Sequence, residues 1–243
     1  MALEVKPLTK TMGAEIGGVD LNEPLTDGVL ASLADYYIEY RVLLFRGQAL
    51  TTESYARFAR YWGEPRIDVF TEKNVPGFRE LMQVGNVGPI LSRSDHRNSA
   101  SFWHTDCAAE QNADASTMLY CIEAPHTGGE TLLADMQAAY EALDDETRSE
   151  AEALTVHHCY SGTRPIVGGR ESWEGQLEPF DENTAANLPA PVIRPLVREH
   201  SVTRKRGLYS PAGSIFHVED RSPEAADALL RRIKLHAIAE QFV

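Results

Sequence analysis

Hydrophobic side chains recur at helical and extended spacings along the first part of the chain. Apolar residues at every third or fourth position predict helices over Leu25–Tyr40 and Thr52–Trp62. The short apolar run Val42–Phe45, which lies between them, is typical of a buried strand. Residues 3–22 predict two short strands around a glycine-rich turn at 17–18. The chain is thus expected to begin with two strands, followed by a helix, a strand and a second helix.

Downstream of residue 80, the pattern predicts many short strands and few helices. Two helices are expected at about 135–143 and 145–154. A third is expected from Pro223 to about Glu240, because Ser222 is a favourable N-cap and proline suits the first helical position. The predicted strands cover residues 81–87, 116–122, 131–134, 155–160, 192–197 and 206–209.

Two stretches, 88–101 and 161–190, carry polar residues, glycine and proline without periodicity. The first predicts a loop, and we interpret the second as a lid or an insertion, because loops of this length are uncommon in compact domains. Many short strands with a few outer helices favour a double-sheet β-barrel or jelly roll over a parallel α/β fold. The sequence therefore predicts a mainly β fold with flanking helices, forming one domain over residues 1–243.

Composition narrows the partners and the location. The 36 acidic residues outnumber the 23 basic ones, and the net charge of −13 argues against nucleic acid or an anionic membrane as the main partner. No apolar run approaches the roughly 18 residues of a membrane span, and the N-terminus does not resemble a signal peptide. Three scattered cysteines (Cys107, Cys121 and Cys159) predict reduced thiols in a cytoplasmic protein.

His104 and Asp106 are the leading candidates for chemistry. Residues two apart on an extended segment share a face, so this imidazole and this carboxylate could approach one metal ion from adjacent directions. Two histidines and one carboxylate that leave open coordination positions are typical of iron(II) oxygenases. A lone His-x-Asp pair is nevertheless a weak signal, since it more often reflects hydrogen bonding than metal binding.

The context of this pair strengthens the signal. It lies in the run Trp103–Asp106 and is followed by Ala124–Thr131, which reads Ala-Pro-His-Thr-Gly-Gly-Glu-Thr, and by Ala134–Leu143. Nearer the start stand Gly13–Leu21 and Val42–Gln48. Together these motifs resemble the taurine dioxygenase / 2,4-dichlorophenoxyacetate dioxygenase family over nearly the whole chain.

The resemblance implies a double-stranded β-helix, a jelly roll of the clavaminate synthase-like kind, that uses Fe(II), 2-oxoglutarate and O2. It implies that His104 and Asp106 bind the iron and that Thr131 hydrogen-bonds the distal carboxylate of 2-oxoglutarate. The expected reaction hydroxylates or desaturates a C–H bond of a small, acidic organic substrate and releases succinate and CO2. A homo-oligomer, either a dimer or a tetramer, is also expected.

Part of the family's site is not found in this sequence. The resemblance implies a second iron-binding histidine and an arginine for 2-oxoglutarate, both expected beyond Val243, where the last core strands would follow. We therefore hypothesise that the chain is truncated. None of the other histidines matches the missing ligand; the ones considered are His96, His126, His157, His158, His217 and His236. The main alternative is a non-catalytic jelly-roll binding protein with an incomplete metal triad; a hydrolytic metal site and a halogenase are disfavoured, the latter by Asp106.

Three residues are candidates for contacts with the substrate: Tyr160, Arg97 and His217. The last two could hold an acid group, and further cations that could do so are Arg93, His96, Arg164 and Arg170. Departures from the family pattern at 98–101 and 210–211 fall where a pocket would form. They argue against taurine or 2,4-dichlorophenoxyacetate as the substrate.

Overall fold

The computed structural model describes residues 3–67, 73–85, 102–112, 115–160, 166–168 and 188–243. The chain divides into two compact units, one made of residues 1–83 and 118–130 and the other of residues 84–117 and 131–243. The predicted loop at 88–101 and most of the predicted lid at 161–190 lie outside the described residues. Within the described part, no helix is long and apolar enough to cross a membrane.

Strands β1 (Glu4–Pro7) and β2 (Ala14–Gly17) open the first unit as an antiparallel pair, and β3 (Leu43–Leu44) lies parallel to β2. The two predicted strands are confirmed, but the turn predicted at 17–18 is wrong. The chain reverses before Gly13, whose backbone has φ +86 and whose carbonyl accepts from the N–H of Leu8 at 2.9 Å. Glycine adopts this left-handed conformation without a steric cost, which is why the turn forms there.

Helices α1 (Asp27–Tyr40) and α2 (Thr52–Arg60) follow, close to their predicted positions. Each begins after a threonine whose side chain accepts from a backbone N–H of the first turn, the usual N-cap contact. Strands β4 (Asn74–Val75) and β5 (Phe78–Met82) form an antiparallel pair, so the strand predicted at 81–87 begins earlier than expected. The buried core of this unit consists of Ala14, Ile16, Leu21, Leu33 and Phe58.

The second unit carries two short helices, α3 (Met136–Glu141) and α4 (Asp145–Glu152), and a long one, α5 (Pro223–Ala237). All three were predicted. Ser222 caps α5 as expected, since its hydroxyl accepts from the N–H of Ala225 at 3.3 Å. A short 3₁₀ turn, Glu240–Phe242, follows, and the Phe242 carbonyl accepts from the N–H of Asp135 at 2.8 Å.

Two small antiparallel sheets complete the second unit. Strand β6 (Thr155–His158) lies between β7 (Val192–Pro195) and β10 (Ile215–Val218), and β8 (Val197–Glu199) pairs with β9 (Arg206–Leu208). Strand β10 was not predicted. The buried core of this unit includes Val156, Leu196, Ile215, Leu230 and Ile233, all of which are 0% exposed.

The strands predicted at 116–122 and 131–134 are wrong, because these residues form no strand in the structure. Their large apolar side chains are exposed, with Leu119 at 69%, Ile122 at 87% and Leu132 at 60% of the maximal area. A strand is stabilised by its hydrogen-bonded neighbours and not by its own pattern. The described residues are thus mixed helix and sheet, and the jelly roll stays a prediction.

Candidate metal centre

His104 and Asp106 lie in an irregular segment of the second unit and not on a strand. His104 lies in a stretch without regular secondary structure, and Asp106 begins a turn in which the N–H of Glu110 donates to the carbonyl of Cys107 at 3.0 Å. Cys107 itself has a left-handed backbone with φ +55. The predicted convergence of the two side chains is nevertheless present, because His104 Nε2 lies 3.3 Å from Asp106 Oδ1.

The orientation of the His104 ring is set by the opposite nitrogen. Nδ1 lies 2.8 Å from the carbonyl oxygen of Phe102. A carbonyl can only accept, so Nδ1 carries a hydrogen and donates it there. The two rings also pack together, with centroids 4.8 Å apart. A histidine that donates one N–H to a backbone carbonyl and presents its other nitrogen to the site has the arrangement typical of metal ligands.

The electrostatics of this pair also suit a cation. With Nδ1 protonated, Nε2 faces the Asp106 carboxylate, and a proton or a metal cation between the two would stabilise the short contact. The hydrogen bond to Asp106 accordingly raises the pKa of His104, with a further contribution from Phe102, although partial burial opposes it. A metal ion would replace that proton, and we therefore expect its affinity to fall as the pH decreases through the raised pKa.

An imidazole nitrogen and a carboxylate oxygen that converge in this way fit Fe(II), which accepts both ligand types. Both side chains are accessible, at 32% exposure for His104 and 49% for Asp106. Among the described residues, no three His, Cys, Asp or Glu side chains are grouped so that they could hold a metal ion. A third protein ligand for the metal therefore stays a prediction.

A tight turn packs directly against residues 102–110, the candidate metal-binding segment. Gly213 has φ +84, and a Cβ atom built on it would lie 2.7 Å from the carbonyl oxygen of Trp103 and 3.1 Å from Cβ of His104. No other residue type fits at that distance. Gly213 thus allows residues 210–214 to support the backbone at His104, and sequence reasoning missed it, although a glycine in the run Ser-Pro-Ala-Gly-Ser could have marked a close approach.

Tyr160 is the substrate candidate that the structure brings to this segment. It is half-buried, and its hydroxyl donates to the carboxylate of Glu110, four residues after Asp106. The guanidinium of Arg194, on β7, contacts the backbone of the same region, because it donates to the carbonyls of Glu110 and Gln111. A role of Tyr160 towards substrate remains a prediction, but its position beside the metal-binding segment is consistent with one.

The other predicted residues are placed less informatively. Thr131 is exposed and lies outside any strand. His217 is exposed on β10, where its ring packs against that of His157 with centroids 4.9 Å apart. Arg97 lies outside the described residues, as do the further candidate residues Arg93, His96, Arg164 and Arg170.

Comparison with known proteins gives a consistent result across the chain. The family model "Taurine catabolism dioxygenase TauD, TfdA family" matches residues 4–243. The alpha-ketoglutarate-dependent 2,4-dichlorophenoxyacetate dioxygenase of Cupriavidus pinatubonensis is 29% identical over 253 residues, which cover 100% of this chain and 85% of that protein. The (S)-phenoxypropionate/alpha-ketoglutarate-dioxygenase of Sphingobium herbicidovorans is 29% identical over 218 residues, covering 85% and 70%.

Solved structures also resemble the chain over its whole length. The crystal structure of AAD-2 in complex with Mn(II) and N-oxalylglycine matches with a TM-score of 0.77 and 26% identity, covering 100% of this chain and 82% of that one. N-oxalylglycine is an analogue of 2-oxoglutarate, which is also called alpha-ketoglutarate. That relative therefore holds a divalent metal together with a mimic of the co-substrate.

Proposed function

The chain belongs to the taurine catabolism dioxygenase TauD, TfdA family, and on that premise we propose that His104 and Asp106 bind the iron of its active site. The protein is an Fe(II)- and 2-oxoglutarate-dependent dioxygenase that acts on small organic substrates and uses O2. We also propose that the chain folds as a jelly roll, that it assembles into a homo-oligomer and that it is located in the cytoplasm.

One observation carries the assignment of the pair. The Phe102 carbonyl accepts the Nδ1 hydrogen of His104, so that Nε2 faces Asp106 Oδ1 at 3.3 Å. This contact leaves a nitrogen lone pair and a carboxylate directed at the same small volume. The Phe102 carbonyl orients His104 before any ion binds, which reduces the ordering that metal binding requires.

His104 and Asp106 would contribute differently to the binding and reactivity of the iron. Bound iron would supply the chemistry that couples the oxidation of 2-oxoglutarate to attack on a substrate C–H bond. Asp106 contributes a negative charge and occupies a coordination position, which favours hydroxylation or desaturation over halide transfer. His104 contributes a neutral nitrogen whose direction is fixed by Phe102. The products would be the oxidised substrate, succinate and CO2.

The remaining assignments follow the family resemblance. We propose that Thr131 hydrogen-bonds the distal carboxylate of 2-oxoglutarate, and that a small, acidic substrate contacts Tyr160, Arg97 or His217. The resemblance also implies a third iron ligand and an arginine that would pair with 2-oxoglutarate. The position of Tyr160, tied through Glu110 to the segment that carries Asp106, supports its part in this proposal.

The direct test is an anaerobic titration of the protein with Fe(II) and 2-oxoglutarate, followed by a screen for succinate release with small organic acids. We expect a weak visible absorption band on addition of both components, and its loss in Asp106→Asn. Asp220→Asn is the matched control, because Asp220 is an exposed aspartate of the same unit with a left-handed backbone that asparagine also tolerates. The control should behave like the wild type.

The alternative function, a non-catalytic binding protein with an incomplete triad, predicts a different outcome. It would leave 2-oxoglutarate bound without the visible band and without succinate release. A wild-type protein that binds Fe(II) no more tightly than Asp106→Asn does would contradict the assignment of the pair.

A further inference from the structure

His158 is a buried histidine that the proposed function does not use. It lies at the end of β6, is 0% exposed, and has its Nε2 atom enclosed with no hydrogen-bond partner. Its Nδ1 lies 2.8 Å from the hydroxyl of Ser214, which is itself only 7% exposed. Burying a polar group costs free energy unless it is hydrogen-bonded. The contact with Ser214 is therefore the hydrogen bond that compensates for the burial of His158.

The hydrogen bonds around His158 form a chain with a definite direction. The Ser210 hydroxyl donates to the carbonyl of Ala212 at 3.4 Å and lies 3.3 Å from the Ser214 hydroxyl. A carbonyl can only accept, and each hydroxyl has one hydrogen. Ser214 must therefore donate to Ser210, and the Nδ1–H of His158 must donate to Ser214. Hydrogen bonds aligned in one direction strengthen each other.

The neutral form of His158 suits this role. Burial lowers its pKa to about 4, and the positive charges of Arg194 and Arg198 act in the same direction, with a smaller effect of His157. The imidazole therefore carries one hydrogen near neutral pH, and the direction of the chain places that hydrogen on Nδ1.

The chain of hydrogen bonds ends on the turn that supports the metal-binding segment. Ser214 is also held by its backbone, because its carbonyl accepts from the N–H of Cys159 at 2.9 Å. The preceding residue, Gly213, is the one whose close approach to the carbonyl of Trp103 and to Cβ of His104 leaves no room for a side chain. A shift of the turn towards residues 103–104 would therefore displace the backbone that carries His104.

We propose that His158 is a positioning residue for His104, acting through Ser214 and the close contact of Gly213. It acts through the turn: His158 fixes the turn, and the turn fixes the backbone at Trp103 and His104, on which the orientation of the ring by the Phe102 carbonyl depends. The inference rests on the proposed function only in taking His104 as a metal ligand. Residues that orient metal ligands from outside the coordination sphere typically change metal affinity by about 10- to 100-fold when removed.

Four variants separate this role from a purely structural one. His158→Leu removes the donor, and Ser214→Ala removes the relay with a smaller change of volume, which covers the case in which the leucine variant does not fold. His158→Asn is the conservative variant, because the side-chain amide of asparagine can place a donor near the position of Nδ1. His157→Asn is the matched control, since His157 is the preceding residue of β6 and, unlike His158, is in contact with Glu219 and His217.

The first measurement follows the His104 ring in the metal-free protein. Two-bond ¹H–¹⁵N correlation spectra of ¹⁵N-histidine-labelled protein, recorded above the raised pKa of His104, report which ring nitrogen carries the hydrogen. We expect a single Nδ1–H form of His104 in the wild type, His158→Asn and His157→Asn. We expect a mixture of the two tautomers in His158→Leu and Ser214→Ala.

The second measurement is Co(II) affinity under anaerobic conditions, with urea unfolding as the control for stability. We expect about tenfold weaker binding in His158→Leu and Ser214→Ala, with recovery in His158→Asn. The inference is overturned if all variants show the same His104 tautomer populations, or if affinity follows stability and the asparagine variant does not recover it. A wild type that fails to bind Co(II) would count against the proposed function, and the tautomer spectra would still decide the role of His158.

Discussion

Residues 102–110 and 118–134 both carry motifs of the family, yet the structure holds them differently. In the first segment, Ala108 and Ala109 are 2% and 5% exposed, and the backbone is contacted by Gly213 and Arg194. In the second, every residue from 121 to 133 is exposed. Residue types therefore predict which chemistry a segment can perform, whereas contacts with the rest of the chain determine how far that segment is buried and packed.

The largest effect is expected from His104→Ala, which removes a proposed iron ligand from residues 102–110. Metal affinity should fall by at least about 100-fold, beyond the range for residues that only orient ligands, and succinate release should disappear. Calorimetric titration with Mn(II) measures the affinity. His217→Ala should leave metal affinity unchanged. Equal losses in the two variants would mean that the pair at His104 is not the metal site.

Gly213→Ala should produce the next largest effect, because it adds a side chain where the turn meets the metal-binding segment. We expect a loss of about 2–4 kcal/mol in the free energy of unfolding, from left-handed strain together with the clash at Trp103. Gly47→Ala is the control: its φ is +67 and no atom lies within 4 Å of the added Cβ. It should cost only about 1 kcal/mol. Urea unfolding of both variants makes the comparison, and similar losses would contradict the close packing at Gly213.

A pH dependence follows from His158. Its pKa in the folded protein, about 4, lies below the ordinary value of 6.5. Between these values the unfolded chain binds more protons, so stability is fully present above pH 6.5 and is lost as the pH falls towards 4. From pH 7 to pH 5 we expect a loss of about 2 kcal/mol that His158→Asn does not show. Urea midpoints at both values measure it, and a parallel decrease in the variant would assign the loss to other groups.

The smallest effect is expected in the exposed segment. Thr131→Ala should raise the KM for 2-oxoglutarate about tenfold, because one hydrogen bond to a charged group is worth roughly 1.5 kcal/mol. The free energy of unfolding should change by less than about 0.5 kcal/mol, since the side chain is exposed. Thr117→Ala, at another exposed threonine, is the control for both quantities. A large loss of stability in Thr131→Ala would show that this segment is held more firmly than its exposure indicates.

The helices could be predicted from the sequence because their signals are local. Helix α5 begins where Ser222 and Pro223 predicted, and α1 begins at an N-cap, Thr26, within its predicted range. The predictions of strands at 116–122 and 131–134 were wrong, because a strand depends on hydrogen-bonded neighbours that are distant in sequence. The short strand β10 carries no alternating pattern long enough to be recognised, and it was missed.

The same distinction applies to the site. His104, Asp106 and their convergence could be predicted, because two residues near each other in sequence carry it. Gly213 and His158 could not, since both lie far from His104 in the sequence. The fold places Gly213 against His104 and links His158 to the same turn through Ser214. Side chains that orient a ligand leave no spacing pattern for a sequence reader to detect.

The hydrogen bond between His158 and Ser214 spans 56 residues of sequence, and this separation has a kinetic consequence. Contacts distant in sequence form late in folding, because the chain between them must first lose its conformational freedom. Because β6 and β10 pair antiparallel, we expect the turn at Gly213 to pack against residues 103–104 only after these strands have paired. A refolding chain should therefore regain its helices first and its capacity to bind metal in the slowest phase.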